Sequence, residues 1–173
     1  VLHVRLSRFA TDPIPKGPLP MNPSAIYSTE FPSLADTDTV RHAMDLMLLH
    51  RVCDVPVVDG SGALLGMFRL DRLLATMLPK AALMGFGMPD LAFATESVGQ
   101  LRERLAGVED HAVREFIVKA EHVVRPQTSP LEIVLLLYKG ANAVPVVDAD
   151  GRKLVGMATP RDLLNALHGA GTP

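Results

Sequence analysis

Three residues near the end of the chain, Gly156, Thr159 and Asp162, stand in the phrase GMATPRDLL at 156–164, and their types and spacing support two kinds of chemistry. Pro160 suits the first position of a helix, so a helix is expected to start beside Thr159. A helix start presents unpaired backbone N–H groups and the positive end of the helix dipole, a natural seat for phosphate. There Thr159 can offer a hydroxyl to a phosphate and Arg161 can add charge-assisted contacts. Asp162, one turn in, can accept two neighbouring hydroxyls with its two oxygens. The same residues also read as a cap, with Thr159 at the N-cap and Asp162 completing a capping-box-like pair. On these residues alone, cap and ligand seat stand level.

Ninety residues earlier the phrase is written again, with changes, as GMFRLDRLL at 66–74. At the Thr position stands Arg69, which has no side-chain acceptor with which to cap. At the Asp position stands Arg72, which cannot accept from a hydroxyl. Asp71 is one residue early, and one residue on a helix is about 100° of rotation. The first copy has therefore lost the paired-hydroxyl acceptor but kept positive charge. Arg69, Asp71 and Arg72 read either as anion contacts or as a solvated helix start, the latter being the expectation.

The elements that must position these residues are themselves duplicated. VPVVD at 55–59 falls on VPVVD at 144–148 at an offset of 89, as do Leu46 on Leu135 and Leu48 on Leu137. One extra residue in the second copy's turn moves the offset to 90, so that Gly66-Met67 falls on Gly156-Met157. Each copy opens with a helix. Val40, Ala43, Met44, Met47 and Leu48 lie on one face at 3.6-residue spacing, and the second copy offers Leu131, Val134, Leu135 and Tyr138. VPVV then reads as a buried strand, DGSG or DADG as a turn, and LLGMF or LVGMA as a second strand. A final helix is expected over about 70–78 and 160–168.

The expected organisation is a Pro-rich N-terminal arm (1–23), repeat one (24–78), a helical insertion (79–116), repeat two (117–168) and a short tail (169–173). The arm holds five prolines within residues 11–23, which fixes φ and removes donors. In the insertion, Pro79, Gly85, Gly87 and Pro89 break the chain. SVGQLRERL at 97–105 reads as an amphipathic helix with Val98, Leu101 and Leu105 on one face.

With 173 residues and 48% hydrophobic content, the chain can bury one core or two small ones that meet. Seventeen basic and 19 acidic residues leave a net charge of −2, which asks for no nucleic-acid partner. No apolar run reaches a membrane span, and the start of the chain lacks a signal-peptide pattern. The missing initiator Met is consistent with trimming from something longer. Cys53 is the only cysteine, which favours a reducing, cytoplasmic setting.

In this arrangement the chain resembles the CBS domain family in its tandem form, the Bateman module. The likeness is carried by TDTVRHAMDLMLLHRVCDVPVVDGSGALLGMFRLDRLL at 37–74 and TSPLEIVLLLYKGANAVPVVDADGRKLVGMATPRDLL at 128–164. The fold class it implies is α/β (α+β): two β-α-β-β-α repeats related by a pseudo-twofold axis, with the helical insertion between them. It implies a homodimer and adenine nucleotides in clefts between the repeats. The family's ligand signature, Gly-x-x-Thr/Ser-x-x-Asp, falls on Gly156, Thr159 and Asp162, with Asp162 as the ribose acceptor. By the same resemblance the other wall of that cleft comes from Asn142, Ala143, Val144 and Pro145 in GANAVP, and from Lys119, Ala120 and His122 in KAEH. Lys119 departs from the small polar residue common there and reads as a phosphate contact or a surface lysine.

The expected function is a non-catalytic regulatory module that senses AMP, ADP or ATP, ahead of S-adenosylmethionine, and is read by an effector protein or domain that the sequence does not identify. The alternative is a ligand-free dimerisation or interaction module. DADG and DGSG resemble fragments of calcium loops but lack a following Glu at the right spacing. His3, His42, His50, His111, His122 and His168 show no paired metal spacing. Cys53 reads as a small core residue, and Met44, Met47, Met67 and Met157 as core filler. Asp90, Glu96, Glu103 and His111 in the insertion form no recognisable catalytic set, so neither a catalytic residue nor a catalytic cofactor is expected.

Overall fold

The computed structural model describes residues 26–78 and 97–169. The Pro-rich arm, the chain breaks from Pro79 to Pro89, Asp90, Glu96 and the tail from 170 onward lie outside the described residues. Repeat one folds as β1 (Leu34–Ala35), α1 (Val40–His50), β2 (Asp54–Val58), β3 (Leu64–Arg69) and α2 (Leu70–Met77). The joining segment carries α3 (Val98–Ala106) and a 3-10 turn at Val113–Glu115. Repeat two contains α4 (Pro130–Tyr138), β4 (Val144–Val147), β5 (Leu154–Ala158) and α5 (Pro160–Gly169).

The hairpins of the two repeats share their pairing pattern. β1 runs parallel to β2, which pairs antiparallel with β3. β4 pairs antiparallel with β5, and a parallel bridge from Val124 to Val146 stands where repeat one has Leu34 on Val57. Both hairpins slip register at the same place, between Val57 and Val58 and between Val146 and Val147. The β-branched run VPVV has its first three residues buried in β2 and all four in β4. Burying such side chains stabilises by about 1.5–3 kcal/mol each, so these strands anchor both cores.

Local chemistry sets the helix limits. Thr39 Oγ1 accepts from the His42 N–H at 3.2 Å, and the Val40 and Arg41 N–H groups donate to His111 O and Glu109 O of the joining segment. This segment thus satisfies the N-terminus of α1. α1 ends on Arg51 in the left-handed region, φ 55°, while α4 is followed by Gly140 at φ 101°. Pro130 opens α4.

Leu34, Val40, Ala43, Met47, Val55, Val57, Phe68, Leu73 and Val113 form one core; Ile26, Val124, Ile133, Val144, Val146 and Ala158 form the other. Met47, Met67 and Met157 are buried and Met44 packs at the edge, as the sequence suggests. Three expectations are corrected. In α4 it is Ile133 that is buried, with Val134, Leu136 and Leu137 packed around it, whereas Leu131 and Tyr138 are 76% and 86% exposed. PLEIVLLLY is apolar on nearly every side, so a 3.6-residue period cannot choose its inner face. Leu48 is exposed, one position round from the buried Met47. In α3, Leu105 packs against the first core but Val98 stands in solvent.

Candidate functional site

The repeats join by exchanging strand segments. Ser28, at the start of repeat one, bonds both ways with Met157 of β5, at 2.8 and 2.9 Å. Val118, at the start of repeat two, bonds both ways with Met67 of β3, at 3.0 and 2.9 Å. The hairpin tips meet across the same axis, Leu64 N–H on Arg152 O at 2.9 Å and Leu154 N–H on Gly62 O at 3.1 Å. This crossing explains the duplicated glycines. A Cβ on Gly66 would meet Ile117 Cγ2, and Val118 O at 2.5 Å; a Cβ on Gly156 would meet the Tyr27 ring at 2.5 Å and Ser28 O at 3.0 Å. Gly156 therefore serves the passage of the other repeat's strand.

The crossing also decides which loops face which helix start. A groove of about 100 Å³ opens between the repeats, and Lys119, Ala120, His122, Asn142, Ala143 and Pro145 all line it. Across from them lie Asp54 and Arg69 of repeat one. Thr159, Arg161 and Asp162 are not among its lining residues, and Val144 is fully buried in the core. The single cleft drawn from the sequence is thus divided. Because each repeat's first strand crosses to the other's hairpin, the loops of repeat two face the helix start of repeat one.

Arg69 dominates this groove. It is opposite Asp54 in the β2–β3 ladder. Its guanidinium reaches Asp71 at 3.1 Å and Glu121, from the other repeat, at 3.6 Å. Its Nε is buried and finds no hydrogen-bond partner among the described residues. The side chain is 29% exposed, which corrects the solvated helix start expected for it; Asp71 and Arg72 are exposed. α2 has no side-chain cap, and Cys53 O takes the Leu70 N–H at 2.8 Å instead. Burial holds the Asp54 carboxyl above the usual carboxylate range, and Asp71 pushes the same way; Arg69 and a hydrogen bond with Asn142 oppose them.

At the start of α5 the bonds are reciprocal. Asp162 Oδ2 accepts from the Thr159 N–H at 2.9 Å and the Thr159 hydroxyl at 2.6 Å, and Thr159 Oγ1 accepts from the Asp162 N–H at 3.2 Å. This is the capping geometry allowed for by the sequence. Asp162 Oδ1 makes none of these bonds, and Arg161 is exposed beside it.

The remaining sequence candidates have structural roles. Asp59 accepts from Ser61 Oγ and from the Ser61 and Ala63 N–H groups, and Asp148 from the Arg152 and Lys153 N–H groups. These bonds hold both carboxyls below their usual range, with burial opposing. Both turn carboxylates thus serve their own backbone. Cys53 is exposed, not in the core; the fold uses its carbonyl, in the bend between α1 and β2. His111 Nδ1 sits 3.0 Å from Glu115. Among the described residues no group of three or more His, Cys, Asp or Glu could hold a metal ion. None of the described helices is long and apolar enough to cross a membrane.

Comparison with known proteins agrees with this fold. The family profile described as CBS domain matches residues 24–78 and 113–169. Among solved structures, CBSX2 from Arabidopsis thaliana is 24% identical, with 81% of this chain and 85% of that chain covered at a TM-score of 0.58. A structure of CBSX2 in complex with AMP is similar at 23% identity, 82% and 90% coverage and a TM-score of 0.58. A CBS domain-containing protein of unknown function from Kribbella flavida shares 21% identity over 86% of this chain and 99% of its own, again at 0.58. Among curated proteins, none matches the chain significantly.

Proposed function

The chain belongs to the CBS domain family, as a tandem pair, and from that premise we propose that it is a cytoplasmic, non-catalytic regulatory module that senses an adenine nucleotide beside Thr159 and Asp162. The observation that carries this reading is the crossing of the repeats, which sets one helix start on each side of the axis. Only the α5 start keeps the hydroxyl and the carboxylate. Asp162 accepts the two ribose hydroxyls, turning Oδ1 outward or releasing Thr159. The Thr159 hydroxyl, the first N–H groups of α5 and Arg161 hold phosphate. The bound AMP of the CBSX2 structure supports the ligand class.

By the pseudo-twofold, the second wall comes from repeat one. Thr29, Glu30 and Pro32 are the counterparts of Lys119, Ala120 and His122, and Cys53 and Asp54 those of Asn142 and Ala143. Ligand acts by population shift, and only to the extent that it binds one arrangement of the repeats better than another. Titration calorimetry with AMP, ADP, ATP and S-adenosylmethionine tests this. One site per chain is expected, and no heat with any of them would remove the sensing role. The mutual bonds of Thr159 and Asp162 favour a second reading, in which the pair is only a cap and the module joins proteins without a ligand.

The chain pairs with a second copy of itself. Leu48 and Leu49 of α1, Leu131, Leu135 and Tyr138 of α4, and Leu164 and Leu167 of α5 are exposed, a surface of the kind soluble monomers seldom leave open. Sedimentation at micromolar concentration should show twice the chain mass, and Leu131→Asp should return it to one.

A further inference from the structure

We infer that Arg69 occupies the first cleft in place of a ligand and ties the two repeats together there, so that it decides which cleft a nucleotide enters. The tie stands on geometry alone; its consequence for ligand choice rests on the functional reading above. Arg69 takes the position that Thr159 holds in repeat two. A Thr side chain stops at the wall of its cleft. The Arg69 guanidinium spans its own cleft, from Asp71 at its own helix start to Glu121 in the loop of the opposite repeat. Asp54, its ladder partner, lines the same groove as Asn142 of the opposite repeat.

The charges of this cleft are matched without a ligand. Arg69, Lys119 and Lys139 face Asp54, Asp71 and Glu121. A nucleotide phosphate meets no net positive field there, and to reach Arg69 it must draw the guanidinium from two carboxylates. A ribose would meet Arg72, which has donors only. The buried, unpartnered Nε points the same way. A side chain that stays in the cleft at the cost of an unmet donor is held there by its other contacts. The first cleft is then a fixed hinge, and the α5 cleft is the one that a ligand can change.

Two experiments on the full chain test this. In the double variant Arg69→Thr/Arg72→Asp, which rewrites the first copy to match the second, ATP calorimetry should show two sites per chain against one for the parent. A folded double variant that still binds one ATP would overturn Arg69 as the deciding residue. A parent that binds none, with a variant that binds one, would remove the functional reading and uphold the inference. The second experiment needs no ligand. Arg69→Met and Glu121→Gln should each speed hydrogen exchange of the Val118 and Met67 amides by about two- to fivefold, the size expected for a partly screened ion pair, and the pair of changes together no more than Arg69→Met alone. Additive effects, or no change at these amides, would refute the tie.

Discussion

The two helix starts that follow β3 and β5 are built from equivalent pieces of chain and differ in what stands at the head of each. At α5 a short hydroxyl and a carboxylate bond each other and leave the space in front of them to something else. At α2 a guanidinium reaches across to the far wall. A repeat keeps its fold so long as its strands, turns and crossing glycines persist, while its ligand chemistry rests on two or three positions that the fold does not need. One copy can therefore lose a binding role and take on a mechanical one with little loss of stability.

The largest effect that would break this equivalence is at the crossing. Gly66→Ala places a methyl against the Val118 carbonyl, which cannot swing away, and should cost about 3 kcal/mol in denaturant unfolding. Gly156→Ala meets mainly the Tyr27 ring, which can move, and should cost about 1–2 kcal/mol. Equal losses would show that the two crossings are equally rigid.

Next in size is the helix start itself. Asp162→Asn removes charge-assisted acceptance from two hydroxyls and should weaken AMP or ATP binding by about tenfold or more in titration. It keeps an acceptor for the Thr159 N–H, so its melting temperature should fall only slightly. Asp71→Asn should leave affinity unchanged. If Asp162→Asn melts lower and binds as tightly as the parent, the residue is a cap and the nucleotide site lies elsewhere.

A smaller contrast lies where the first helix of each repeat ends. Arg51 holds a left-handed conformation that Gly140 adopts freely. Arg51→Gly should stabilise by about 1 kcal/mol and Gly140→Ala destabilise by a similar amount, both read from chemical denaturation.

The smallest effect is acid sensitivity. Asp59 and Asp148 have folded pKa values below their unfolded ones. Each therefore adds stability that is present above about pH 4 and is lost as pH falls through the folded value. Asp59→Asn and Asp148→Asn should flatten the acid limb of a melting-temperature profile to a similar degree. Asp54 has the opposite sign and no counterpart at Ala143. Its ionised form costs stability above its raised folded pKa, and the cost lifts as pH falls. Asp54→Asn should remove that slope, and an unchanged profile would count against a desolvated carboxyl in the first cleft.

Much of the fold was legible in the residues. The two VPVVD runs, the turn aspartates and the paired Gly-Met steps reproduce β2, β4 and both hairpins in place. The twin reading of Thr159 and Asp162 was legible too, and the structure displays its capping half. What could not be read was anything that depends on which repeat's loop faces which helix. The resemblance sets the 119–122 and 140–145 segments beside Thr159. The pairing of Val118 with Met67 brings 119–122 to the groove of Arg69, which 140–143 also line, and backbone pairing of this kind leaves no signature in side-chain periodicity. Arg69 reads as solvated in the sequence because Glu121, the carboxylate it reaches on the other repeat, is remote from it along the chain.

The exchange of strand segments also sets an order of events in synthesis. Ser28 leaves the ribosome long before Met157 exists, so the opening edge of repeat one has no partner until β5 has emerged. Val118 meets Met67 much sooner. The first hairpin can thus gain its crossing segment soon after it is made, while the second must find one made about 130 residues earlier. Such long-range closure is slow and exposes an unpaired edge in the meantime. Cut within residues 79–96, the two halves should each lack one strand segment that only the other carries, and should recover their structure only when mixed.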